Sequence, residues 1–155
     1  MLESDVRHIL SAALVSGSVA SVVSAGALAL LARAEGKSPT QPLNATSHWL
    51  HGEDAGSVRR ADVRHTALGY ATHHASSVLW AIPFEYLRTR DTAKDLASIG
   101  RDAGLVAALA GVTDYDVMPR RLTPGWEAVL PARSVAAGLG ALALGLIIGG
   151  LATRS

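Results

Sequence analysis

The chain alternates between long apolar blocks and polar connections. Four blocks have the composition of membrane-crossing helices, and about 20 apolar residues at 1.5 Å per residue span a hydrocarbon core of about 30 Å. They cover about residues 9–32, 66–87, 103–118 and 134–152. The pattern predicts an all-α polytopic membrane protein in which four transmembrane helices form a compact bundle and both termini lie on one side.

The first block is the longest, with no charged residue from Ile9 to Ala32. A cleaved signal peptide is the alternative interpretation of this block. A signal peptide begins with a positively charged region, whereas here Glu3 and Asp5 accompany the single base Arg7. We therefore expect a permanent membrane anchor.

Small residues recur at every fourth position in each block, a spacing that lets helix backbones approach closely in lipid. The pattern predicts tight helix packing, either within the chain or with a protein partner or a second copy. The positions are Ala13, Gly17, Ser21, Ala25 and Ala29; Gly69, His73, Ser77 and Ala81; Ala103, Ala107 and Gly111; and Ala137, Ala141, Gly145 and Gly149.

The 33–65 loop is predicted to carry a short interfacial helix over about residues 44–51. Asn44 is suited to cap the start of this helix, since a side-chain amide oxygen can accept a bond from a free backbone N–H group. Asn44 also begins a glycosylation sequon, which matters only in a secretory pathway. The apolar side of the helix would consist of Leu43, Trp49 and Leu50.

The 119–133 loop is predicted to carry a second short helix over about residues 124–130, because a proline is favourable at the first turn of a helix. Each of these two loops contains one tryptophan, Trp49 or Trp126, as expected for segments in the headgroup layer. The remaining connection, residues 88–101, is predicted to be a plain solvated linker.

Composition agrees with residence in a membrane. Of 155 residues, 49% are apolar and 17% are charged, against about 25% charged in soluble domains. A net charge of +1 provides no bulk attraction to nucleic acid, and the absence of cysteine excludes disulfides and thiolate metal sites.

Lysine and arginine are almost evenly divided between the two sides, so the positive-inside rule leaves the orientation open. Eight lie on the side of the two proline-rich loops and six on the side of the termini. The six are Arg7, Arg88, Arg90, Lys94, Arg101 and Arg154.

Polar chemistry gathers on the loop side. Ionisable residues within a membrane are costly, so they normally face a partner or a cavity. We expect His73 and Asp114 at similar depth, where His73 either bonds Asp114 or a backbone carbonyl, or forms a ligand site or proton relay with Tyr70 and Arg120. Asp116 is predicted to pair with nearby arginines at the headgroup level, and Glu85 with Arg88 or Arg90.

Imidazole and carboxylate groups also suit a transition metal such as iron, zinc, copper or manganese. Haem is the weaker expectation, because a bis-histidine site needs buried histidines on two helices and only the second helix has them. The candidate metal ligands are His48, His51, His65, His73, Asp114 and Asp116.

The sequence contains no nucleotide-binding glycine loop, no G-x-S-x-G elbow and no H-E-x-x-H motif, and it leaves open whether the protein is an enzyme. We expect a binding or interaction module in the membrane whose polar face engages a partner subunit or a small ligand. The alternatives are a metal-dependent membrane enzyme or cofactor protein, and a proton-coupled transporter or channel unit.

A family resemblance adds to this. Three segments carry this resemblance: the run Pro42 to Trp49, the pattern His65-Thr66 followed by Gly69 and His73-His74, and Asp114-Tyr115 followed by Thr123-Pro124-Gly125. In these segments the chain resembles a group of small, uncharacterised bacterial inner-membrane proteins with four predicted spans. The resemblance implies a bacterial inner-membrane location and joint use of the second helix with both loops. It implies no activity and no metal.

Overall fold

The computed structural model describes residues 2–91 and 95–153, and this part of the chain contains helices and no strand. Its α-helices are α1 (Leu2–Ala34), α2 (Gln41–Thr46), α3 (His48–His51), α4 (Leu68–Arg90), α5 (Leu96–Val112) and α6 (Ala132–Ala152). Single π-helical turns, Val63–Ala67 and Thr113–Val117, lead into α4 and end α5. Lys94 and Arg154, counted above on the side of the termini, lie outside the described residues.

Three helical segments are long and apolar enough to cross a membrane, which indicates a membrane protein. They are Asp5–Ala34, Leu96–Val117 and Ala132–Ala152. The predicted second span is not among them. Helix α4 has 23 residues, but two adjacent histidines, Glu85 and two terminal arginines lower its hydropathy.

Helix α1 lies between α4 and α6 and runs antiparallel to both. On one side, Gly17 contacts the backbone of Val78, and a methyl group at Gly17 would lie 2.5 Å from the Val78 Cα. On the other side, a methyl group at Gly145 would overlap the backbone of Ala20. These glycines allow the close approach that the small-residue pattern predicts.

The predicted stripes are correct for α4 and partly wrong for α1 and α6. All four α4 positions are buried. In α6, however, Ala137 is exposed and Ala141 is half-buried, while Gly138 is buried. A step of four residues turns an α-helix by about 400°, so a strict four-residue stripe drifts around the helix and leaves the contact face.

Two apolar clusters hold the helices together. The first fills the middle of the structure and the end opposite the loops; its members include Phe84, Val106 and Leu146. The second lies at the loop end, the end that carries the two proline-rich connections, and joins Leu28 of α1 to Trp126. Trp126 is only 4% exposed, so its ring packs inside the protein and is not presented to the surroundings.

The segment 88–101 is largely helical, and the predicted plain linker is wrong for the residues described. Helix α4 continues to Arg90 and α5 begins at Leu96 with Asp95 as its cap. Arg101 of α5 pairs with Asp91 at 2.7 Å and with buried Asp102 at 2.8 Å, which ties the ends of the two helices together.

The 33–65 loop folds around Asn44, which lies inside α2 and does not cap it. The Asn44 side chain is fully buried, and its Nδ2 donates to the carbonyls of Val58 (2.7 Å) and Arg60 (3.0 Å). Its Oδ1 accepts a bond of 2.6 Å from the Thr66 hydroxyl. Asn44 therefore fastens the loop to the start of α4, and its amide is inaccessible as a glycosylation acceptor.

The remaining details of the two loops differ from the predictions. The single predicted helix over 44–51 is two short helices, and Leu50 is 57% exposed rather than part of an apolar side. The predicted helix over 124–130 is one 3₁₀ turn, Trp126–Ala128. Gly125 before it has φ of 79°, and a side chain there would meet the backbone of α2.

Candidate functional site

The loop end contains a cavity of about 330 Å³ between α4, the end of α5 and α6, which is covered by the loops. This volume lies at the lower end of the range for small-molecule sites, about 300–1,000 Å³. Its wall includes every tryptophan in the chain, Trp49, Trp80 and Trp126. The other lining residues are Thr46, Thr72, His73, Ser76, Ser77, Asp114, Leu122, Thr123, Pro124, Leu139 and Leu142.

Helix α4 supplies one continuous face of this cavity. Residues three and four apart share a helix face, so positions 72, 73, 76, 77 and 80 stack on one another. His73 and Ser77 are buried at the floor, whereas Ser76 is exposed at the mouth. The cavity thus opens on the exposed side of α4 and is closed on the side that faces the interior of the helix bundle.

His73 joins the cavity to α1. Its Nε2 lies 3.2 Å from the Ser21 carbonyl and 3.0 Å from the Ser24 hydroxyl, and the Ser24 hydroxyl itself donates to the Ala20 carbonyl. A carbonyl oxygen only accepts, so Nε2 carries the hydrogen, and in the neutral ring Nδ1 is an acceptor. Within the described residues Nδ1 has no partner. The predicted hydrogen bond from His73 to a backbone carbonyl is confirmed, and the predicted hydrogen bond to Asp114 is wrong.

Asp114 lies in the π-helical turn that ends α5 and lines the same cavity. Such π turns occur frequently at functional sites because they break the regular spacing of a helix. No hydrogen bond or ion pair to the Asp114 carboxylate is present in the part of the chain described. The structure therefore brings His73 and Asp114 to one cavity without joining them.

Most polar hydrogens of the lining are used within the protein. The Trp49 and Trp126 indole N–H groups donate to the hydroxyls of Thr72 and Thr46, each at 3.2 Å. Those hydroxyls, and the Ser77 hydroxyl, donate in turn to carbonyls within their own helices. The tryptophan rings thus present their carbon surfaces, and few donors face the cavity.

The six candidate metal ligands do not come together. Among the described residues, no three histidine, aspartate or glutamate side chains lie close enough to hold a metal ion. His73 and Asp114 line the cavity, and His51 and His65 form a separate pair with ring centroids 4.9 Å apart. Asp116 is exposed on the outside of the π turn.

Both ring nitrogens of His48 face carbonyl oxygens, so a metal ion could bind here only by displacing one of these contacts. The His48 Nδ1 lies 2.9 Å from the Ala45 carbonyl and its Nε2 lies 2.9 Å from the Arg120 carbonyl, and both oxygens only accept. His48 instead links the two proline-rich loops across the roof of the cavity. His51 is similarly engaged, since its Nε2 donates to the Arg64 carbonyl at 2.9 Å.

The other two predicted relay residues lie outside the cavity. The Tyr70 hydroxyl is 3.5 Å from the Ser21 hydroxyl, on the side of α4 that faces α1. Arg120 is exposed and contributes its carbonyl to His48.

The predicted pairing of Asp116 is wrong, since Arg121 donates to the Trp49 carbonyl at 3.1 Å and no described ion pair includes Asp116. The predicted pair of Glu85 and Arg88 is confirmed at 2.6 Å.

Two carboxylates outside the membrane-crossing segments fix the loop end. The backbone N–H and ring of His65 bond to Asp62 at 2.6 and 3.1 Å, and these bonds lower the Asp62 pKa to about 2. Glu35 after α1 accepts a bond of 2.7 Å from Arg133 in the first turn of α6, which lowers the Glu35 pKa. The frame around the cavity is therefore held partly by hydrogen bonds to ionised groups.

Sequence reasoning missed the three tryptophans as a group and treated each as a packing or interfacial residue. The sequence did contain one indication of this wall, because Thr72, Ser76 and Trp80 share a helix face with His73. Comparison of the chain with family models, with curated proteins and with solved structures finds no match. Its function must therefore be argued from the cavity itself.

Proposed function

We propose that this chain is a small integral membrane protein that crosses the membrane four times and binds a small ligand in the tryptophan-lined cavity. The observation that carries the proposal is the cavity itself, a mostly apolar site of about 330 Å³ whose lining includes His73 and Asp114, each with polar atoms that have no described partner. Apolar pockets with a few convergent polar groups are the usual form of small-molecule sites.

The position of α4 beside α1 supports the proposed four-span arrangement. Ser21 of α1 bonds to His74, and Gly17 one turn earlier touches Val78, so the two helices run side by side over their central parts. If α1 crosses the membrane, α4 lies at the same depth. Its polar residues His73 and Ser77 face the protein interior, as intramembrane polar groups normally do.

This arrangement places the cavity and both proline-rich loops on one membrane face and both termini on the other. We assign the protein to the bacterial inner membrane, the location that the sequence resemblance implies. Much of the small-residue surface of α1 and α4 is occupied by packing within the chain. A partner subunit would therefore contact the outer surface of the helices or the loops.

The geometry favours ligand binding over the two alternatives. The apolar cluster around Phe84 and Leu146 lies between the cavity and the opposite end of the helices, so this conformation offers no polar path for transport. A metal centre lacks a third ligand among the described residues. Binding of a small ligand is therefore the function that best fits the residues lining the cavity.

Because all three tryptophans line the cavity, intrinsic fluorescence reports on it directly. The test is a titration of the protein in dodecyl maltoside with three probes of similar size and different charge: 2-phenylethylammonium, 2-phenylethanol and 3-phenylpropionate. Saturable binding of at least one probe supports the proposal, provided that Ser76→Phe abolishes it by filling the mouth.

Ala75→Phe is the matched control, since Ala75 is exposed on the neighbouring face of α4 and does not line the cavity. It should bind the probe as the unmodified protein does. Failure of all three probes to bind, or equal binding to the Ser76→Phe variant, would overturn the proposed function.

A further inference from the structure

From the hydrogen-bonding groups of the cavity we infer that its ligand is a small organic cation with an apolar body, such as a protonated amine attached to a hydrocarbon group. This inference rests on the proposed function and names the class of ligand. It depends on which polar groups of the wall remain free and what charge they carry.

The free groups are chiefly acceptors. Asp114 lines the cavity with no described partner, and His73, a buried lining residue, retains Nδ1 as an acceptor with no described partner in its neutral form. A ligand that satisfies both groups must donate hydrogen bonds. An ammonium group carries up to three donors and no acceptor.

The donors of the wall are mostly consumed. Of the five hydroxyl-bearing residues in the lining, four have hydroxyls that donate to protein acceptors. These residues are Thr46, Thr72, Ser77 and Thr123. Only Ser76 at the mouth and the Trp80 indole retain a donor. An anionic ligand, which needs several donors or a positively charged side chain, would find only these two donors and no lysine or arginine in the lining.

The charge of the cavity wall also favours a cation. No lysine or arginine lines the cavity. The Thr123 hydroxyl bonds at 2.7 Å to Glu127, so a second carboxylate lies just behind the wall. A cation entering this site meets negative charge on one side and no competing positive side chain within it.

The tryptophans complete the match. The face of an indole ring attracts cations, and cages of aromatic rings are the common means by which proteins bind organic ammonium groups. The ring of Trp126 already contacts His73 edgewise, with centroids 5.7 Å apart, so the acceptor and an aromatic surface are adjacent. The leucines of the wall would contact the apolar body.

The same three probes test the inference. In the unmodified protein, 2-phenylethylammonium should bind at least about tenfold more tightly than 2-phenylethanol, because charge-assisted hydrogen bonds are stronger than neutral ones. Asp114→Asn should weaken amine binding by about tenfold or more and change alcohol binding by less than about twofold. Asp116→Asn, which removes an equal charge outside the cavity, should have no effect.

Each outcome bears on one of the two claims. Equal or tighter binding of the alcohol or the carboxylate would overturn the cation assignment and leave the binding site standing. Unchanged amine affinity in Asp114→Asn would also overturn it. If no probe binds, the proposed function itself fails. The ranking of probes in the unmodified protein needs no variant, so it decides the matter even if Asp114→Asn does not fold.

Discussion

The close approach of α1 and α6 predicts a large difference between two identical substitutions in α6. A Cβ atom added at Gly145 would overlap the backbone of Ala20 on α1, where no flexible side chain can move aside. At Gly140, five residues earlier, an added Cβ atom meets nothing within 4 Å. Gly145→Ala and Gly140→Ala therefore change the same atoms in the same helix and differ only in their surroundings.

Both substitutions gain helix propensity, by about 1 kcal/mol, so this term cancels in the comparison. Overpacking at Gly145 forces α1 and α6 apart and should cost about 1–3 kcal/mol. For a chain of this size each kcal/mol shifts the Tm by about 2–4 °C. The Tm of Gly145→Ala should therefore lie roughly 2–12 °C below that of Gly140→Ala.

Thermal melting of the purified variants in dodecyl maltoside, followed by circular dichroism, measures the difference. Gly140→Ala should melt at or slightly above the temperature of the unmodified protein. Equal melting temperatures for the two variants would mean that α1 and α6 do not approach as closely as described. That result would refute the reasoning about small-residue packing in this helix pair.

Three further predictions concern single polar groups. Asn44→Ala should destabilise the protein by about 2–4 kcal/mol, because buried backbone carbonyls lose their donor; a Tm within 2 °C of the unmodified protein would contradict this. Ionised Asp62 stabilises the fold above its ordinary pKa of 3.8, and this contribution is lost as the pH falls toward its folded pKa of about 2. Carboxyl NMR should show that low pKa, and Asp62→Asn should flatten the stability profile in this window. Arg88→Ala should cost about 3–5 kcal/mol because it leaves the buried Glu85 carboxylate unpaired, and adding Glu85→Gln should restore part of that loss in thermal melts.

The helical architecture could be predicted because it depends on local properties of the chain. Apolar length gives α1 and α6 directly, and both helices include the predicted spans. The second predicted block, residues 66–87, already extended past Pro83 and Glu85, and both residues lie inside α4, which runs from Leu68 to Arg90. There the Glu85 charge is balanced by Arg88, a pairing that the spacing of three residues did indicate.

The loops could not be predicted to the same degree because their structure depends on distant partners. Asparagine is a residue type that commonly caps helices, yet Asn44 is buried and bonds to residues 58, 60 and 66. A residue type suited to capping is equally suited to bonding carbonyls in a folded loop. Only the tertiary arrangement decides between the two.

The cavity could be predicted only in its polar part. His73 and Asp114 were recognised because an ionisable residue in an apolar segment is unusual wherever it lies. The aromatic wall requires Trp49 and Trp126 to converge on Trp80 from two separate loops, and no local pattern encodes that convergence. The polar face expected from the sequence is therefore, in the structure, one side of a cavity whose wall is partly aromatic.

Helix packing and the chemistry of the cavity are linked through His73. The contact of its Nε2 with the Ser21 carbonyl exists only while α1 and α4 are packed, and that contact leaves Nδ1 as the acceptor nitrogen of this cavity-lining ring. A ligand that donates to Nδ1 therefore favours the packed arrangement of the two helices. By linkage, the same packing raises the affinity for the ligand by the same factor. Under the proposed function, the buried histidine therefore acts in the fold through one ring nitrogen and in ligand binding through the other, which a purely structural hydrogen bond would not require.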